Sequence, residues 1–424
     1  MIFVRPLRPA RLAALGSLGV LGSLGVVSTA LSFAACGGSS PETAEGGEDV
    51  SSPDAGGGTK DSGSDVTKGD ANHAMDAAPE AASDAGNCVL GPEGEAVDLQ
   101  CAGLYSDWAT KTVATVNQEF TPGLQLWSDG ALKTRWIQMP LGADGKTEKI
   151  DTSDMDEWTF PVGTMFWKEF RLPIGSSTTP TRIETRLLWK KAAGDWFRTT
   201  YRWSADGETS ATELTTGELD ANGNGYEVPT QLDCNTCHDG RMDGVLGFEA
   251  VGLAAPGAAL VTLDTLVDAG LLTTPPKGPI VIPGDAVQSA ALGWLHVNCG
   301  TACHNEGNGE AAGSGFWMRL DTADGGLASV ESTYTYQTGW NQMADNFEIP
   351  NVTPTYLLHQ CDVGSSAAYY RADHRDGPDS GYSVQMPPLD SHMVDAPGVA
   401  ELAAWINEGC DAGADAGGKD GSHD

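Results

Sequence analysis

Leu295-His296-Val297-Asn298-Cys299-Gly300-Thr301-Ala302-Cys303-His304 decides what the C-terminal half of this chain can be. It closes a run in which Val287, Ala290, Ala291, Trp294 and Leu295 recur at helical spacing, so a helix is predicted over 286–297. Asp285, after Pro283-Gly284, is its N-cap. The helix runs into Cys299, Cys303 and His304, the pattern C-x3-C-H. Two thiols at such spacing can each form a thioether with a vinyl group of a haem, and the adjacent His then reaches the iron through a ring nitrogen. The third intervening residue changes the reach of the first thiol. His304 can ligate iron even with one thioether formed.

Working outward, Cys234-Asn235-Thr236-Cys237-His238 repeats the chemistry with the ordinary C-x-x-C-H spacing. A plain disulfide or redox pair at 234/237 leaves His238 incidental. A Zn(Cys)4 site is the sharper alternative. Its pairs lie about 15–20 residues apart, whereas Cys299 comes more than sixty residues after Cys237 and both His residues would lack a role. Downstream, Met386 stands before Pro387-Pro388, a thioether sulfur on a stiffened loop and hence a sixth ligand for the iron of His304. A last helix is predicted from Asp395 or Pro397 to about Glu408, with Val399, Leu402, Ala403 and Ile406 on its apolar face and Gly409 ending it. The sixth ligand of the first haem is less legible. His296, Met242, Met165, Met139 and His359 are the candidates, with His296 foremost.

These residues carry a resemblance. Leu295–Cys299, Met386-Pro387-Pro388, Val394-Asp395 and Gly398–Ile406 resemble a family of exported bacterial dihaem c-type cytochromes. So do Leu126-Trp127-Ser128-Asp129-Gly130, Trp136-Ile137, Phe160–Thr164, Trp167–Phe170 and Glu184–Trp189. The likeness spans about 100–408 and implies an α+β multidomain chain: a β-rich front domain, a first haem near 234–238 and a C-terminal cytochrome c-like domain. The chain departs from the family pattern at the C-x3-C-H spacing and at Met165, where a Lys is the rule.

The front region has a pattern of its own. Aromatic and aliphatic residues cluster in short runs at Arg135–Met139, Thr164–Leu172, Arg182–Trp189 and Trp196–Trp203, separated by Gly, Asp, Ser or Pro. Those are the signals of strands and turns in a sheet or sandwich. Seven of the 12 Trp lie between 127 and 203, enough for a large aromatic core or an aromatic-lined groove. Asp220-Ala221-Asn222-Gly223-Asn224-Gly225 matches the first half of a Ca2+ loop through Asp220, Asn222 and Asn224, but Gln231 stands where a bidentate Glu is needed.

Charge separates tails from folded chain. The 424 residues carry 58 acids against 24 bases, a formal −34, which excludes a nucleic-acid binder for want of a basic face. Residues 1–35 are a basic start and an apolar run ending Phe33-Ala34-Ala35 before Cys36, read as a lipoprotein-type signal with Cys36 lipidated; an ordinary cleaved signal and a spanning helix are the alternatives. Residues 36–86 are Gly, Ser, Ala, Asp and Glu, a disordered acidic tether, and 411–424 read as a second tail. The remainder divides into a β-rich 87–230, a first haem-binding segment 231–280 and a cytochrome c-like 281–410. Residues 87–410 still hold 43 acids against 18 bases, so a protein partner should present a basic face.

Cysteine parity adds two disulfides. With Cys36 lipidated and four thiols on haem, Cys88, Cys101, Cys361 and Cys410 remain, and the pairs 88–101 and 361–410 leave none free in an oxidising compartment. The expected function is electron transfer by an exported dihaem cytochrome, lipid-anchored at the outer membrane and facing the periplasm or cell surface. A haem redox enzyme with one open iron is the first alternative. A surface lipoprotein whose β-domain binds a ligand beside a haem sensor is the second.

Overall fold

The computed structural model describes residues 88–223, 225–323, 325–376 and 384–410. The expected signal, Cys36, tether and tail, and Asn224, lie outside the described residues.

The strand-like runs of the front region pair into one antiparallel sheet. Its strands are β3 (Gln118–Thr121), β4 (Leu132–Gln138), β5 (Met165–Pro173), β6 (Pro180–Ala192), β7 (Asp195–Trp203), β8 (Ala211–Glu213) and β9 (Ala259–Leu260), in the order β8-β7-β6-β5-β4-β3-β9. A two-stranded hairpin of β1 (Tyr105–Asp107) and β2 (Thr112–Val113) stands beside it. Alternation divides the side chains between two faces. On one, Trp136, Trp167 and Leu187 are cross-strand neighbours and pack with Tyr201 and Trp203 under Leu99 and Leu104. On the other, Ile137, Phe166 and Leu188 are neighbours and join Phe160, Trp196 and Phe248 in a second core. Trp136, Trp158, Trp167, Trp196 and Trp203 are all buried, so the density of aromatics in the front region builds core.

The helices are short: α1 (Gln231–His238), α2 (Ala250–Ala254), α3 (Leu263–Asp268), α4 (Ala286–Leu295), α5 (Tyr334–Gly339), α6 (Ala367–Ala372) and α7 (Ala396–Ile406). Asp285 caps α4, its carboxylate accepting the Val287 and Gln288 N–H groups. Asp395 caps α7 and also takes the Trp294 indole N–H at 2.8 Å. Gly398 is required there, because a Cβ would collide with that indole. Leu292, Leu295, Leu402, Trp405 and Ile406 then close a core between α4 and α7. Helix α4 ends two residues sooner than the sequence spacing predicts, because a π-turn takes over at His296–Gly300.

Sheet and helices form a mixed α+β arrangement, and the described residues fall within one compact unit. Residues of the Leu126–Gly130 stretch clamp the C-terminal segment. The Trp127 N–H donates to Asn298 Oδ1 at 2.7 Å, its indole donates to the Met393 carbonyl at 2.9 Å, and the Asp129 carboxylate accepts the His392 and Met393 N–H groups. Cys88–Cys101 and Cys361–Cys410 are disulfides, the second tying the end of α7 back to residue 361. Among the described residues no helix is long and apolar enough to cross a membrane.

Candidate functional site

Helix α1 presents the first motif. Thr230 and Asp233 form a capping box that starts the helix, and Asn235 and Asp239 hold Arg198 of β7 at 2.8 and 3.2 Å. His238 ends the helix with its Nδ1 2.5 Å from the Gly244 carbonyl. That carbonyl is fixed by its neighbour. The buried Asp243 carboxylate accepts from Lys190 Nζ at 2.7 Å, Trp196 Nε1 at 3.0 Å and the Phe160 N–H at 2.6 Å. A donor–acceptor pair at Nδ1 sets the tautomer and leaves Nε2 with a free lone pair. Burial, with the nearby charges of Arg198, Lys168 and Arg186, pushes the His238 pKa down to about 3, so the ring is neutral.

The second motif is built differently because of its extra residue. After α4 the chain passes through i→i+5 bonds: the Thr301 N–H donates to His296 O at 2.8 Å, and the His304 N–H to Cys299 O at 2.8 Å. One added residue is thus absorbed as a π-bulge. Gly300 sits where a Cβ would strike the Met318–Arg319 backbone. His304 Nδ1 lies 3.0 Å from the Phe316 carbonyl, the same arrangement as at His238, and burial lowers its pKa to about 4.

His304 faces a cavity of about 460 Å³ whose walls include Cys299, Cys303, Met386, Trp294 and Phe316. That volume lies within the usual cofactor range of about 300–1,000 Å³. Met386 is held there by its own N–H, which donates to the Arg371 carbonyl at 2.9 Å, and by buried Gln385, whose amide donates to Pro387 O and Ser391 O. His304, the Cys299 and Cys303 thiols and the Met386 thioether sulfur therefore line one cavity.

The two motifs also touch each other. Gly240, two residues past His238, packs so closely on the second motif that a Cβ would collide with the Ala302 carbonyl oxygen. Asn305, next to His304, is fully buried and its amide donates to the carbonyls of Gly240, Gly300 and Thr301 at 3.2–3.4 Å. Cys234, Cys237, Cys299 and Cys303 are free thiols, and burial raises all four, Cys237 and Cys299 to about 12.

The other candidates sit elsewhere. His296 is buried, its Nδ1 accepting the Leu320 N–H at 2.9 Å and its Nε2 3.5 Å from Glu249. Met242 is exposed, Met139 and Met165 pack against the two cores of the sheet, and His359 stacks on Tyr356 with Nδ1 2.6 Å from Ser365 Oγ. Asp220 accepts the Gly225 N–H at 2.6 Å, and Asn222 Oδ1 accepts from Arg202 at 2.7 Å, so a guanidinium occupies an oxygen that a Ca2+ ion would need. Among the described residues no group of three or more His, Cys, Asp or Glu stands together as a metal cage. Sequence reasoning missed Asp243, Asn305 and Gly240. Nothing in their spacing marks them, since each acts only across the fold.

Comparison with family models, with curated proteins and with solved structures finds no match to the chain.

Proposed function

We propose that this chain is an exported dihaem c-type cytochrome that transfers electrons in the periplasm or at the cell surface, tethered by lipid on Cys36. One observation carries the reading. His238 and His304 each directly follow a pair of free cysteines, and each turns Nδ1 to a backbone carbonyl, leaving Nε2 for iron. A bound haem would supply one-electron redox chemistry at each motif. The chain's own work is positioning. Cys234 and Cys237, and Cys299 and Cys303, would hold the two groups covalently. The Gly244 and Phe316 carbonyls orient the histidines, and Met386, which lines the second cavity with His304, would supply a thioether sulfur to its iron. Asn305 and Gly240 keep the motifs side by side, the arrangement that electron exchange between two centres needs.

Acid-extracted, denatured protein should retain two haem equivalents by the pyridine haemochrome assay. One equivalent would mean that the C-x3-C-H site does not bind covalently, and none would end the cytochrome reading. Cys36→Ser should move the protein from membranes to the soluble fraction with an unchanged haem spectrum. Retention in membranes would make residues 12–35 an uncleaved anchor.

A second reading, a redox enzyme with one open iron, draws on the placement of His296, Met242 and His359, each engaged or exposed elsewhere. Carbon monoxide added to the reduced protein separates the two. Two closed irons give no spectral shift, and an open one does.

A further inference from the structure

A row of basic side chains crosses one face of the sheet, with its Lys168 and Arg186 end near the first motif. Arg135 of β4, Lys168 of β5 and Arg186 of β6 are direct cross-strand neighbours, and Lys133 lies two residues from Arg135 on the same face. Like charges placed opposite one another in a sheet destabilise it. They persist here in a chain whose formal charge is −34, so the placement is not a matter of surplus bases. Of the nearby acids, only Glu184 pairs with a member of the row. Glu184 is bound to Arg186 at 2.6 and 2.9 Å and to the Tyr226 hydroxyl at 2.6 Å. Asp129 is taken by backbone N–H groups, and Asp395 by the cap and indole of the α4–α7 contact.

Among the described residues three basic side chains touch no carboxylate, and burial lowers the pKa of each, that of Lys133 to about 7. Arg135 is buried, its Nη1 has no partner, and its Nη2 reaches only Gln125 Oε1 at 3.5 Å. Lys133 donates to a single carbonyl, that of Leu126. Lys168 has no hydrogen bond or ion pair among the described residues, and its ammonium stands 4.9 Å from the Phe170 ring centroid. Lys168 and Arg186 lie near enough to His238 for their charges to act on it, and Arg186 acts likewise on Cys234 and Cys237.

We propose that Lys133, Arg135, Lys168 and Arg186 form a carboxylate seat that receives the two propionate arms of the haem held by Cys234, Cys237 and His238. The inference rests on the dihaem reading. Charge-assisted hydrogen bonds from this row would neutralise the propionates, and a buried cation beside a haem disfavours its ferric, more positive state. Removing one cation should therefore lower that haem's potential.

The test uses full-length holoprotein with Lys168→Met, and separately Lys133→Met should either variant fold poorly. Both should keep two haem equivalents. Spectroelectrochemical titration should show one midpoint potential falling by at least a tenfold change in the reduction equilibrium, about 59 mV for one electron. The other potential, identified as the one that Met386→Ala moves, should stay in place, and Lys168→Arg should restore the wild-type value. Two retained haems with both potentials unmoved would overturn the seat while leaving the dihaem reading intact. Inorganic phosphate that shifts a wild-type potential, with the response lost in Lys168→Met, would assign the row to a free anion and equally overturn it. Wild-type protein with no haem on Cys234 and Cys237 would remove the dihaem reading and the seat together.

Discussion

Asp243→Ala is expected to lower the free energy of unfolding by about 3–5 kcal/mol, the cost of stranding a buried charge. Lys190 is 2% exposed, and Asp243 is its only carboxylate partner among the described residues. The same carboxylate holds the Trp196 indole and the Phe160 N–H, so the substitution frees three donors at once. The effect should reach the first motif, because the adjacent Gly244 carbonyl is what orients His238. Denaturant titration followed by circular dichroism measures the first part. A loss below about 1 kcal/mol would show that the pair is worth no more than an exposed salt bridge. In the proposed dihaem reading, haem absorbance followed in the same titration should report loosening at one haem before the other.

Met386→Ala should act on the second site with little effect on the fold. Met386 is half-buried on the cavity wall, and the loop around it is held by Gln385 and by backbone bonds that the substitution spares. In the proposed dihaem reading methionine ligation raises the potential of the second haem, so its loss should lower that midpoint alone. The weak long-wavelength band of a sulfur–iron bond in the oxidised protein should vanish. Survival of both the band and the potential would give the sixth position to another residue and leave Pro387-Pro388 a structural loop.

What the sequence discloses is local in its physics. The strand runs of the front region emerge as β4 to β7, because alternation and aromatic packing are properties of neighbours along a strand. Asp285 and Asp395 cap the helices they precede, since a cap reaches only two or three residues. What stays hidden is long-range. The row of Arg135, Lys168 and Arg186 exists only once β4, β5 and β6 are in register, and no spacing along the chain announces it. Asp243 finds Lys190 53 residues away. The added residue between Cys299 and Cys303 is visible as a number, but its accommodation by i→i+5 bonds is a property of the backbone path.

Asn305 bears on how such a chain is manufactured. Its amide reaches a backbone carbonyl 65 residues away in sequence and is fully buried when it does so. That contact needs the segment bearing Cys234 and the segment bearing Cys303 to have met. In the folded chain the four thiols are only partly exposed. In the proposed reading the polypeptide is therefore loaded while still open, just after export, and the closing of this joint marks a finished molecule. A substitution that weakens the joint, such as Asn305→Ala, would lengthen the open interval, and its signature would be extra susceptibility to periplasmic proteases during synthesis.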